Sequence, residues 1–337
     1  MKYSCPLRIL FVLTLLWCET HTQPALSLEN YQKPEVFTFG SKKDSKQKVT
    51  FGMFLSTLSR FDPIKRSINA SFYVWWRTND PAYHPDQTVE IVNTPNYKMH
   101  WLQKGKVGSE YITLARYSAE IVTAWDVKHF PFDRQKIVIS LEDVSNDIDS
   151  IELIPDNQYS GISQDLRLGG WILKDCHVRQ TAHQYNTNFG NPSHEKKVTS
   201  RGSMIIEIKR LGLRIFFNYF IGFLLAGFLC IVSFFIEPVN VIARSNLVLG
   251  AIFLTIGNKY IIDQNLPIMP IFTLTDAIQA ATFLIITWAV SINVLCYGLY
   301  TQERTSLSLC INKILGFVLS VSYLSYISYN IYVAVNS

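Results

Sequence analysis

The sequence predicts a chain of two unlike parts: an extracellular β-sandwich followed by an all-α transmembrane domain of four helices. Three observations carry this. Only 17% of the 337 residues are charged, against about a quarter in soluble domains, while 48% are hydrophobic. Short apolar runs separated by turn clusters occupy residues 26–214. After Arg214 come long stretches almost free of charge. Aromatics at 13% and a mean hydropathy of +0.14 exclude a disordered chain. The length allows about two domains.

The N-terminus, residues 1–22, reads as a secretory signal. Lys2 and Arg8 form a basic segment, residues 9–17 an apolar one, and Cys18-Glu19-Thr20 closes it. That apolar run is far shorter than the ~20 residues a bilayer crossing needs. No small-residue triplet marks a cleavage site before Gln23, and Trp17 fits poorly ahead of a lipid-bearing cysteine. A cleaved signal is the expectation.

Residues 23–212 follow as the outer domain. Strands are expected at 71–78 (SFYVWWRT), 112–127, 136–141, 171–178 and 204–211, with Ile137, Ile139 and Leu141 on one face. Asn79-Asp80-Pro81, Pro155-Asp156-Asn157 and Gly190-Asn191-Pro192 supply turns. Many short strands at this spacing point to an antiparallel sandwich, and no internal repeat is visible.

Residues 213–337 form the membrane domain, with helices expected at about 215–236, 240–262, 273–300 and 310–335. The first carries no charge. Arg244, Asn246, Asn258 and Lys259 interrupt the second. The third and fourth have uncharged cores after Asp276 and Lys313. With the sandwich outside, the cytoplasmic loops 237–244 and 301–313 hold Arg244, Arg304 and Lys313, whereas the outer loop 264–275 holds no Lys or Arg. This agrees with the positive-inside tendency. The connection between the third and fourth helices is too short for a cytoplasmic domain. The expected product is a multi-pass cell-membrane protein in contact with lipid, its large N-terminal domain outside.

Chemistry-bearing residues argue against an enzyme. The seven histidines never fall at His-x-x-x-His spacing, and Cys-x-x-Cys is absent. Gly161-Ile162-Ser163 lacks the rest of a nucleophile elbow, and Gly105-Lys106 lacks the upstream glycine of a phosphate loop. No cofactor is expected. The net charge of +5 is scattered along strands, which speaks for solvated faces and against a nucleic-acid partner. Glu142, Asp143, Asp147, Asp149 and Glu152 form an acidic stretch that could be a solvated loop or a calcium site. It lacks glycine-centred ligand spacing, so no metal is assigned. Of six cysteines, Cys5 and Cys18 lie in the signal and Cys230, Cys296 and Cys310 in or beside membrane helices. Cys176 alone remains outside, so no disulfide can form within one mature outer domain.

In the second membrane helix, Asn246, Gly250, Phe253, Gly257, Tyr260 and Gln264 recur at alternating steps of four and three, which is one helical face. Its two interior glycines cost roughly 1 kcal/mol each against alanine. Tight helix packing would explain them; so would a water-lined pore with space between bulky rings. Thr255, Asn258 and Lys259 lie off this face, so polarity alone does not decide.

Three separated segments resemble one family. His129-Phe130-Pro131-Phe132-Asp133-Arg134-Gln135 resembles the Phe-Pro-Phe-Asp-x-Gln signature of the pentameric ligand-gated ion channels, the Cys-loop receptor superfamily. Arg210-Leu211-Gly212-Leu213 with Phe216-Phe217-Asn218 is similar to the stretch leading into their first membrane helix. Asn265-Leu266-Pro267 with Pro270 is similar to the loop between their second and third. The order of signal, β-domain and four helices is similar too. Thr123 and Ile137 stand where animal receptors place two cysteines, so the chain resembles the cysteine-less, bacterial-type branch. Trp125, Phe130 and Phe132 are the expected apolar anchors of the bare loop.

The resemblance implies a homopentamer opened by an extracellular small ligand or proton, with the six-residue face lining the pore and Phe253 as gate. It places Asp133, Arg210 and Pro267 at the domain junction, with Asp62 as a candidate third member of the charge pair. Glu237 and Arg244 are the selectivity candidates. Ala243-Arg244 resembles part of the Pro-Ala-Arg of anion-selective members without its proline, while Ile242-Ala243 replaces the acid of cation-selective ones; the ion stays open. Family agonist sites lie between subunits, under a hairpin corresponding to 185–196 and against a strand corresponding to 71–78. Tyr185, Phe189, Tyr73 and Trp75 are therefore the ligand candidates, with Val144 about where amine-binding receptors place a tryptophan. Ordinary strand packing accounts for each of these aromatics equally well. The alternative reading is a non-conducting membrane receptor or binding module of the same outline.

Overall fold

The computed structural model describes residues 46–189 and 196–336. The signal expectation, with Cys5 and Cys18, and the Gly190-Asn191-Pro192 turn lie outside the described residues.

The outer domain is a two-sheet sandwich. One sheet runs β4 (Tyr97–Val107), β5 (Glu110–Val122), β2 (Ser67–Thr78), β1 (Gln47–Asp62) and β7 (Ile151–Pro155), with the short β8 (Gly161–Ile162) also on β1. The other runs β3 (Val89–Ile91), β6 (Arg134–Asp143), β10 (Val198–Arg210) and β9 (Trp171–Gln184). Pairing is antiparallel except that β7 and β8 lie parallel to β1, a departure from the all-antiparallel expectation. Another departure is β5, which ends at Val122 rather than 127. Thr123 N donates to Arg66 O, and the chain then turns away toward the membrane domain.

Alternation builds the core. Val49, Phe51, Met53 and Leu55 of β1 face Ile137, Ile139 and Leu141 of β6 and Met204, Ile206 and Ile208 of β10, all buried in one cluster. A bulge at Ser56 then shifts the register by one, so Leu58 also points inward. Each such side chain contributes roughly 1.5–3 kcal/mol on burial. Gly202 is required on β10 because a Cβ there would lie 2.6 Å from the Phe51 ring of the opposite sheet.

Four helices follow: α1 (Gly212–Ser233), α2 (Val241–Asp263), α3 (Leu274–Thr301) and α4 (Thr305–Asn336). All are long and apolar enough to cross a membrane. A reciprocal cap starts α3. Thr273 Oγ1 accepts from Asp276 N at 3.2 Å, and the Asp276 carboxylate accepts from Thr273 N at 2.9 Å.

Cys176, Cys230, Cys296 and Cys310 are free thiols. Burial, then the Asp175 charge, pushes the Cys176 thiol up to about 11, so it stays protonated and unreactive at neutral pH. Excess reductant is therefore expected to leave oligomer size and Tm unchanged. Loss of a genuine bridge, worth roughly 2–4 kcal/mol, would lower Tm by roughly 5–15 °C. A drop of that size would reveal a bond between subunits.

Candidate functional site

The loop from Thr123 to Gln135 joins the sandwich to the helices, and side-chain hydrogen bonds close it. Thr123 Oγ1 donates to Lys136 O at 3.2 Å. Gln135 spans the loop: its Oε1 accepts from Asp126 N at 3.0 Å, and its Nε2 donates to Asp126 O at 2.7 Å and Asp133 Oδ2 at 2.6 Å.

Asp133 and Arg210 form a bidentate pair inside this junction. Arg210 Nε donates to Asp133 Oδ1 at 2.7 Å and Nη2 to Oδ2 at 3.1 Å, with Asp133 only 3% exposed. The guanidinium also lies 4.0 Å from the Trp171 ring centroid and 5.1 Å from that of Phe130. Trp171 packs in turn on Phe61 and Trp125. Asp62 does not join the pair. Its Oδ1 accepts from Lys65 N at 2.9 Å, so it caps its own turn, which corrects the three-member expectation. Pro267 is half-buried in the α2–α3 connection and makes no hydrogen bond to the pair.

The same loop seats on two helices. Phe130 meets Tyr219 edge-on at 5.5 Å and Phe220 at 6.5 Å, while Phe132 meets Phe216 at 5.8 Å. Gly212 starts α1 against Pro131 O, leaving no room for a Cβ. Leu274 N donates to Lys128 O at 2.8 Å and fixes the start of α3. Any shift of this loop therefore loads α1 and α3 directly.

On α2 the buried face is Arg244, Val248, Ala251, Thr255, Asn258 and Ile262. The face singled out from sequence, Asn246 to Gln264, lies two residues further along at every step, hence about 200° around the helix. It points away from the rest of the protomer. Phe253 is 67% exposed and Tyr260 65%. A Cβ on Gly257 would meet nothing within 4 Å, and one on Gly250 would make only an ordinary contact, 3.6 Å from Leu229. Packing within the protomer thus gives neither glycine a reason.

Arg244 is displaced from the role considered for it. It is 1% exposed, and its Nη2 donates to Asn312 Oδ1 at 2.6 Å. Asn312 Nδ2 donates onward to Phe234 O at 2.8 Å. The guanidinium therefore ties the inner end of α2 to α4 and to the end of α1, on the face opposite the stripe. Glu237 is exposed in the α1–α2 turn. Sequence reasoning passed over Asp263, which lies exposed beside Gln264 at the outer end of α2 and pairs with Lys259 at 3.0 Å. An acid at a helix end next to the stripe was the available signal.

The aromatic candidates divide between the sheets. In the six-stranded sheet, Tyr73 lies under the Arg116 guanidinium at 5.5 Å, while Trp75 covers Gly52 and donates Nε1 to Asp156 Oδ2 at 3.1 Å. Beside β9 of the four-stranded sheet, Tyr185 OH donates to Glu142 Oε2 at 2.6 Å and its ring meets Phe189 at 5.1 Å. Glu142 also accepts from Thr199 Oγ1 at 3.0 Å and from Arg201 Nε. Burial, then Glu142, pushes the Tyr185 hydroxyl up to about 12. His183, edge-on to Tyr185 at 4.6 Å, is held below the usual imidazole range by burial and then Arg201, with Glu142 opposing. Lys197 donates to Val144 O. Glu142 and Asp143 of the acidic stretch are thus occupied by internal bonds, Asp143 Oδ2 accepting from Tyr83 OH at 2.8 Å and Thr88 Oγ1 at 3.0 Å.

No family model matches the chain. A curated relative, a proton-gated ion channel of Gloeobacter violaceus, is 27% identical over 220 residues. The match covers 65% of this chain and 57% of the relative's length. That relative is a channel and not an enzyme, in keeping with the reading of the chemistry above. With four such helices and this relative, the chain is a multi-pass membrane protein with its large N-terminal domain outside the cytoplasm.

Proposed function

We propose that this chain, which resembles the pentameric ligand-gated ion channels in motif order, architecture and sequence, is one of five identical subunits of such a channel. In this reading residues 1–22 are the signal, 23–212 the ligand-binding domain and 213–337 the channel. One observation carries it: the Asn246–Gln264 stripe of α2 is turned away from its own protomer, and Gly257 faces open space. The 23 residues of α2 give a helix about 34 Å long, enough to span the hydrocarbon layer. Five copies around an axis turn this stripe into rings, amides at the ends and Phe253 in the middle.

External acid is the first stimulus to test, because the relative is proton-gated. The exposed acids at the ends of the pore helix are Glu237 and Asp263, while Arg244 is withdrawn, which favours cations. Purified protein in planar bilayers should carry a current when the outer bath is acidified, its reversal following the cation gradient under ion substitution. Silence under acid and under a panel of small amines would favour a non-conducting receptor.

Asp263→Asn should lower unitary cation conductance, more strongly at low salt, because it leaves the Lys259 ammonium unopposed at the mouth. An unchanged conductance would place Asp263 off the permeation path.

A further inference from the structure

One buried side chain of α2 reaches past the apolar packing to the backbone of its neighbour. Asn258 is 6% exposed. Its Nδ2 donates to Tyr219 O at 2.7 Å, and its Oδ1 accepts from Gly222 N at 3.2 Å. The approach is close enough to require glycine, since a Cβ at 222 would lie 2.6 Å from Oδ1 and 2.7 Å from the Asn258 Cβ. Apolar contacts between α1 and α2 hold the helices together without fixing their register. Two directed bonds from one amide to two backbone groups fix height and rotation at one point. Inside a membrane-spanning bundle such a group is retained at a cost unless it is bonded, and apolar packing alone would provide cohesion.

What the amide connects is specific. Tyr219, whose carbonyl it holds, meets Phe130 of the junction loop edge-on, and Phe220 beside it stacks on Phe216 at 4.9 Å. Arg210, paired with Asp133, stands just ahead of α1. On α2, Asn258 lies between Gly257 and Tyr260, at the level of the outer part of the stripe but on the reverse face. A continuous route runs from the charge pair through the first turns of α1 to the back of the pore helix.

We propose that Asn258 is a positioning residue for gating, the latch through which displacement of α1 moves the outer part of the pore helix. The proposal rests on the channel reading above. Asn258→Leu removes both hydrogen bonds at similar size. In full-length protein in bilayers, unitary conductance should stay at the wild-type value, because residue 258 faces away from the stripe. The proton concentration for half-maximal current should shift by about tenfold or more. Combined with Arg210→Lys, which keeps the charge at the junction, the shift should be smaller than the sum of the two single shifts, since both act on one route. Gly222→Ala attacks the same contact from α1 and should reproduce the shift. A merely structural residue would give fewer pentamers that respond at the wild-type proton concentration; that result, or failure of both variants to assemble, overturns the proposal. Wild-type protein silent under acid and under the panel of small amines would overturn the channel reading and the latch with it. Wild-type current with both variants unshifted would overturn the latch alone.

Discussion

Phe253→Ala is expected to give folded pentamers that leak at rest or open at a stimulus roughly tenfold weaker. The side chain is 67% exposed in the protomer, on the face opposite Ala251, and has Gly250 and Gly257 one turn away on either side. In the proposed pentamer five phenyl rings at one level, with little bulk above or below, would form an apolar constriction that excludes ions by dewetting. In the pentamer proposed above, Tyr260 would form the next aromatic ring, about 10 Å further out. Its hydroxyl can bind water, so it should be the weaker barrier. Phe253→Cys should react with water-soluble thiol reagents and block current, measured against wild type because Cys310 is exposed. Were Phe253 instead packed on neighbouring side chains, alanine would leave a cavity costing roughly 3–5 kcal/mol. Misfolded alanine protein together with an unreactive cysteine would refute the gate.

The sandwich was legible where one strand face is apolar and the other largely polar, as with Ile137, Ile139 and Leu141 against Lys136, Ser140 and Glu142. It was hidden where that contrast fails. Strand β4 is exposed on both faces, so the alternation of Tyr97, Met99 and Trp101 in it has no core behind it, and the Ser56 bulge breaks the alternation of β1. The parallel pairing of β7 with β1 joins residues about a hundred positions apart and has no local signal. The starts of α2 and α3 fall within one residue of expectation, whereas α1 begins three residues earlier and α4 five. Hydropathy rises only where lipid begins, but α4 already starts at Thr305, where Ser308 Oγ donates to Cys296 O at 2.7 Å and Arg304 O accepts from Ser308 N.

The candidate site divides in the same way. Steps of four and three reveal that Asn246, Phe253 and Tyr260 share a face; they do not reveal which face turns inward. That is decided by partners distant in sequence. Asn312 draws Arg244 to the back of α2, and Gly222 gives Asn258 a place to bond. Asp62 reads as a free carboxylate until its own turn is seen to use it. Charged or amide residues on a helix can be found from sequence, whereas their direction is a tertiary property.

Asp133→Asn and Arg210→Gln are each expected to abolish assembly or most of the response, and the double variant to be no worse than the more severe single one. Removing one member of a buried ion pair typically costs roughly 3–5 kcal/mol, because the other charge is left without a partner. Here the cost has three sources. Asp133 would lose two short bonds from the guanidinium and keep only the one from Gln135. In Asp133→Asn an amide NH2 or a single carbonyl must face donors that had a full carboxylate. In Arg210→Gln the cation over Trp171 and Phe130 disappears as well. Arg210→Lys separates these terms: it keeps a charge but not the planar fork, so it should fall between wild type and Arg210→Gln. Pentamer yield, Tm and proton response measured across the cycle give the coupling. Losses that simply add would mean two independent charges, and the junction would then have to transmit force through Phe130 and Phe132 alone.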